Sequence, residues 1–143
     1  MTAEEGRALP ESRAEIGAYI ETLYYQAAAS RAADGATFPS GHPDEIIRTV
    51  RRPVGTVAVI TPWNFPVQIP VGKIAPALLW GNRGGWKRAR ETPAVSVRLG
   101  EVFADAGGPD GGGNIALAPG GGGGHCGEAV GVGQIAGTGG GAE

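Results

Sequence analysis

The sequence predicts an α/β fold, a layer of helices on a mostly parallel sheet, and three observations lead there. Residues 55–60, GTVAVI, are a short β-branched run without charge, the pattern of a strand buried on both faces. An apolar stretch, a weak strand and a helical pattern follow it through residue 106, the succession from which parallel βαβ units are built. Glycine divides the chain, with 10 of its 27 in residues 1–106 and 17 in residues 107–143, so the first part alone reads as ordinary globular sequence.

At 143 residues the chain is sized for one domain. A net charge of −2 implies no broad basic surface, so neither nucleic acid nor an anionic membrane is an expected partner. No run reaches the ~18 apolar residues of a membrane span, and the opening MTAEEGRALPESRAE is too polar for a secretory leader. A cytoplasmic protein is expected. The single cysteine cannot close an internal disulfide, and His42 and His125 lie too far apart in sequence for a local zinc site, so no metal is expected.

The first element is a helix over residues 11–33. Ile16, Ile20, Leu23, Tyr24, Ala27 and Ala28 recur at three- to four-residue spacing, which predicts one core-facing stripe. Ser12 and Glu15 fit a capping box at its start, and Asp34-Gly35 is a stop. Thr37–His42 reads as a turn-rich link. Glu45–Arg52 alternates like a strand with a solvated edge or face, to which its three arginines are assigned in preference to a phosphate patch.

After the buried strand, TPWNFP at residues 61–66 breaks the chain with two prolines. Residues 67–80 are apolar and end at Gly81-Asn82. Pro70 suits a first helical turn, and Pro76 predicts a kink or interruption. Thr92-Pro93 opens a second clean helix as N-cap and first residue, with Val95, Leu99, Val102, Phe103 and Ala106 on one face. Gly107-Gly108-Pro109 ends it.

Beyond Asp110 the only charged residues are Glu128 and Glu143. Asn114–Ala118 and Gln134–Ala136 are candidate short strands, and no stable helix is expected among so many glycines. Gly131-Val-Gly133-Gln-Ile-Ala136 fits G-x-G-x-x-A, but no clear strand leads into it. Nothing orients His125 and Cys126 as base and nucleophile.

Residues 53–82, PVGTVAVITPWNFPVQIPVGKIAPALLWGN, carry the specific signal. They resemble the aldehyde dehydrogenase superfamily, whose members read P-x-G-V-V-x-x-I-x-P-W-N-F-P followed by K-I-A-P-A-L-x-x-G-N. The likeness continues through Lys87 into ETPAVSVRLGEVFADAG, and upstream EEGRALPESRAEI is similar to E-x-G-K-x-x-x-E-A-x-x-E-V. It is strong over residues 4–106 and faint afterwards. On spacing alone, Trp63 and Phe65 read more simply as core aromatics and Asn64 as a turn residue. The extended resemblance reverses that preference.

The resemblance implies an incomplete Rossmann-like NAD(P)-binding domain of aldehyde dehydrogenase type. Residues 1–106 would hold the N-terminal helices, the arm strand and the first part of that domain. Residues 107–143 would be its glycine-rich, degraded or poorly ordered continuation. Asn64 matches the asparagine whose amide donates to the substrate oxygen. Ile60, Thr61, Pro62, Trp63 and Asn64 match the stretch beside NAD or NADP. Lys87 matches the lysine on the adenosine ribose or a 2′-phosphate, and Gly139 the turn that approaches the cofactor phosphates. Phe65, Ile69 and Gly72 fall where the family lines its substrate tunnel, and Lys73 matches a lysine near the active site. The Glu45–Pro53 strand corresponds to an arm that pairs subunits, implying a homo-oligomer.

Three departures qualify this. The family's nucleophilic cysteine and general-base glutamate are expected beyond residue 143, so the chain by itself is expected to be inactive. NRGGWKRARE at residues 82–91 replaces a form like N-T-V-V-L-K-P-A-E-E, and Arg90 at the ribose-contacting position would favour NADP. The tail puts glycine where apolar residues are expected, a pattern of substitutions toward G in the coding sequence. The function implied is NAD(P)+-dependent oxidation of an aldehyde to a carboxylic acid. The alternative is a truncated or pseudogene fragment that at most binds a homologous subunit.

Overall fold

A computed structural model of the chain describes residues 1–108, 113–117 and 134–137. Helix α1 spans Thr2–Glu5 and α2 Leu9–Ala32. Strands β1 (Thr37–Phe38) and β2 (Ile47–Arg48) follow, then β3 (Thr56–Ile60), α3 (Gln68–Leu79), β4 (Arg83–Arg88) and α4 (Pro93–Asp105). Strands β5 (Gly113–Leu117) and β6 (Gln134–Gly137) are the last described elements.

Four strands form one parallel sheet in the order β5-β4-β3-β6. In chain order that is third, second, first, fourth, so the direction of winding reverses between β3 and β6. The fold is the expected α/β layer on a parallel sheet. Val57, Ala58 and Val59 are buried, as an uncharged β-branched run requires. Val57, Val59 and Trp86 share one cluster with Val71 and Ile74 of α3, Leu99 of α4 and Tyr19 of α2. Helices α3 and α4 therefore cover one face of the sheet, with α2 packed outside α3. Truncating Leu99, 5% exposed, to alanine would cost roughly 2–5 kcal/mol.

The C-termini of α3 and α4 close as their glycines predict, whereas α2 ends at Ala32 with Ala33, at φ −94°, as its C-cap ahead of the expected Asp34-Gly35 stop. Gly81, at φ +76°, lets its own N–H reach the Leu78 carbonyl and the Asn82 N–H reach that of Ala77. Gly107, at φ +82°, repeats the pattern with Ala104, while the Gly108 N–H reaches Phe103.

Several expectations are corrected. Helix α2 starts at Leu9 and has no side-chain cap, and its buried residues are Ser12, Glu15 and Tyr19. Ile16, Ile20 and Tyr24 of the expected stripe are exposed. The reason is that Glu15 and Ser12 are drawn to partners on α3 and α1, which turns the polar stripe inward. The arm strand is shorter than residues 45–52, only Ile47–Arg48, and it pairs antiparallel with Thr37–Phe38, inside the segment expected to be a link. Pro76 lies within a continuous α3. The carbonyl it frees, four residues back, belongs to exposed Gly72, where water can satisfy it. On α4, Val102 and Ala106 are exposed, and the packing face runs through Ser96 and Leu99. The candidate strands near Asn114 and Gln134 are present as β5 and β6.

Candidate active site

Open parallel sheets bind ligands outside the carboxyl ends of their strands, where the winding reverses. Here that point lies between β3 and β6, and the chain leaving β3 is Thr61–Pro66. Thr61 is 3% exposed and doubly tied to β4. Its N–H donates to the Lys87 carbonyl at 3.2 Å, and its hydroxyl accepts from the Trp86 indole N–H at 2.9 Å. Ile60 and Pro62 are half-buried, Trp63, Asn64 and Phe65 are exposed, and Pro66 and Val67 are buried. Three side chains thus project from a loop anchored at both ends. Among the described residues the Asn64 side-chain amide has no hydrogen-bond partner, so its donors are available to a ligand.

The far anchor is electrostatic. The Glu15 carboxylate, buried, accepts from the N–H groups of Val67 and Gln68 at 3.0 Å each. A carboxylate from α2 therefore satisfies the free donors at the start of α3, where the helix dipole favours negative charge. Glu15 also pairs with Arg7, whose other guanidinium nitrogen donates to the Asn64 carbonyl. The same device recurs at α4. Thr92, expected as the cap, makes no side-chain cap bond. Glu4 of α1 instead accepts from Ala94 N–H at 2.6 Å and Val95 N–H at 3.0 Å. Burial pushes the Glu5 carboxyl above the usual glutamate range, opposed by the charge of Arg7 nearby.

The expected tunnel residues do come together. Phe65, Ile69 and Gly72 line an open depression of about 480 Å³ with Gln68 and Lys73, along one side of the entry to α3. Lys87 and Arg90 sit at the carboxyl end of β4, next to the anchored Thr61. Lys87 is 4% exposed with no carboxylate within ion-pair distance among the described residues, while Arg90 is exposed. Gly139, His125 and Cys126 lie outside the described residues. A second cavity, about 470 Å³, lies between α4, α3 and the sheet beside Trp86 and Ile115 and touches none of these residues.

Arg7, Glu15 and Glu4 were missed as site-supporting residues. Glu15 had a ready local explanation as half of a capping box. Arg7 and Glu4 lay in a matching stretch with no chemistry assigned.

A winding reversal, with a polar loop after β3 and, near the end of β4, a lysine without a carboxylate partner among the described residues, is the arrangement of an incomplete dinucleotide-type α/β domain. The aldehyde dehydrogenase family model matches residues 1–141. The 2,5-dioxopentanoate dehydrogenase of Saccharolobus solfataricus is 43% identical over 84% of this chain and 25% of its own length. The alpha-ketoglutaric semialdehyde dehydrogenase of Bacillus subtilis is 41% identical over 83% of this chain and 24% of its own. Among solved structures, betaine aldehyde dehydrogenase of Staphylococcus aureus in complex with NAD+ superposes with a TM-score of 0.79 at 34% identity, covering 83% of this chain and 24% of that one. The NAD-dependent aldehyde dehydrogenase of Sinorhizobium meliloti gives 0.81 at 34%, covering 87% and 25%. The chain belongs to the aldehyde dehydrogenase family, and it spans about a quarter of the length of these relatives.

Proposed function

We propose that these residues form the oxyanion-donor and cofactor-side part of an NAD(P)+-dependent aldehyde dehydrogenase that oxidises an aldehyde to a carboxylic acid. The observation that carries this reading is the Asn64 amide, unpartnered among the described residues, on a doubly anchored loop at the winding reversal, with the depression of Phe65, Ile69 and Gly72 beside it. Asn64 would donate to the aldehyde oxygen, where negative charge develops as a thiolate attacks the carbonyl carbon. The chemistry of the site fits a dinucleotide. Ile60–Trp63 offer an apolar wall at the end of β3, and the buried Lys87 lacks a carboxylate partner among the described residues. Bound NAD(P)+ would accept the hydride. Lys87 would donate to a ribose hydroxyl or 2′-phosphate, and exposed Arg90 would favour the phosphate of NADP. Gly139 would meet the cofactor phosphates.

In this reading the thiolate and the water-activating carboxylate come from family motifs outside these 143 residues, and these residues turn over no aldehyde by themselves. The arm would pair subunits. Phe38, Ile46, Ile47 and Val50 on and around β1 and β2 are all exposed, which supports a contact with a homologous chain and equally a non-catalytic, subunit-binding role. The test is a graft of residues 1–106 onto the remainder of the Bacillus subtilis relative. NAD(P)+-dependent turnover is expected, with Asn64→Ala lowering kcat about 10²- to 10³-fold. A folded graft in which Asn64→Ala keeps turnover within about threefold would overturn the assignment of the oxyanion donor.

A further inference from the structure

We infer that Arg7 is a positioning residue that fixes the 64–68 loop and, through it, the direction of the Asn64 amide. The inference builds on the reading of Asn64 as oxyanion donor. Gly6, at φ +72°, ends α1 with a left-handed turn, so the next residue leaves α1 toward the loop. The Arg7 side chain is 15% exposed and spends its planar fork on four groups. Nη1 donates to the Glu15 carboxylate, Nη2 donates to the Asn64 carbonyl, and Nε lies 3.5 Å from Glu5 Oε2. Its central carbon stands 4.7 Å from the centre of the Phe65 ring.

Together with Glu15, Arg7 therefore holds both ends of the loop. The carbonyl of Asn64 is tied to the cation, and the N–H groups of Val67 and Gln68 are tied to the anion. Pro66, fully buried, limits the backbone between them. None of these bonds uses the Asn64 side chain, which has no hydrogen-bond partner among the described residues. Three separate guanidinium nitrogens and a flat face make these contacts at once. A lysine, the residue of the family motif at this position, has a single nitrogen for them and no plane to lie on the Phe65 ring.

The experiment is ¹⁵N relaxation on the 143-residue chain, with the urea midpoint measured on the same samples. Variants are Arg7→Lys, Arg7→Met and, as a control on the exposed side of α2, Arg13→Met. In the parent, backbone order parameters at Asn64 and Phe65 should match the sheet at about 0.85. With Arg7→Lys they should fall below about 0.6, with moved Asn64 side-chain amide signals, while β3 and β4 stay rigid and the urea midpoint stays near the parent's. Arg7→Met should give the same local loss with a lower midpoint, and if it fails to fold, Arg7→Lys carries the test. Unchanged loop order and unchanged Asn64 signals in Arg7→Lys overturn the proposal, as does a loss spread evenly over the sheet. Turnover does not enter this measurement, so failure of the Asn64 assignment is read separately, from the graft.

Discussion

Glu15→Ala removes the carboxylate that joins α2, α3 and Arg7. The side chain is 1% exposed and accepts two backbone N–H bonds at 3.0 Å besides the ion pair. Hydrogen bonds to a charged group contribute about 1.5–3 kcal/mol each. Removing one partner of a buried pair costs about 3–5 kcal/mol, because the other charge is stranded. The two figures describe the same contacts and are not added, so the expected loss is about 4 kcal/mol. With a urea slope near 2 kcal/mol/M, that lowers the unfolding midpoint by roughly 2 M. Tryptophan fluorescence reads the transition, since Trp86 is buried in the core beside α3. Glu15→Gln keeps an oxygen for the two N–H groups and loses the charge, so about half the loss is expected. A Glu15→Ala midpoint within about 0.3 M of the parent, at unchanged slope, would refute the view that this carboxylate anchors α3.

Glu4→Ala should cost about 1 kcal/mol, the usual loss of a helix cap, and amide exchange should quicken in the first turn of α4 rather than in the sheet. Glu5→Gln tests the buried carboxyl whose Oε1 has no hydrogen-bond partner among the described residues. Because burial raises its folded pKa, the charged form is disfavoured in the folded chain, and Glu5 lowers stability once the pH rises through that raised value. Glu5→Gln should therefore be the more stable protein at pH 7. The gap should close as the pH falls toward the ordinary glutamate range, and thermal melts of the pair across pH 4–8 check it. A gap that widens on acidification would contradict that cause.

The site was legible wherever its residues follow one another in sequence. TPWNFP after a β-branched run places an exposed polar side chain at the end of a buried strand, and the family resemblance singled out Phe65, Ile69 and Gly72, which line one depression. The stops of α3 and α4 were equally local, since Gly81 and Gly107 adopt the left-handed conformation that ends a helix. What caps the starts of α3 and α4 was not legible. Helix α4 begins at Pro93 after Thr92 as the local rule predicts, yet its free donors are taken by Glu4, and those of α3 by Glu15, across 90 and 52 residues or more.

Local chemistry therefore determined most of the long elements of this protein, the buried strand β3, the loop that follows it and the family it resembles. These depend on φ preferences, on periodicity and on motif order, all of which are written along the chain. Only the tertiary structure decided the strand order, hence the reversal between β3 and β6, and which face of α2 turns inward. A helix with Ile16, Ile20 and Tyr24 on one stripe and Ser12, Glu15 and Tyr19 on another has two candidate interiors. The choice falls to the free N–H groups of α3 and the cation of Arg7. Turned this way, α2 leaves Ile16, Ile20 and Tyr24 exposed and gives the free N–H groups of α3 and the cation of Arg7 a buried carboxylate partner.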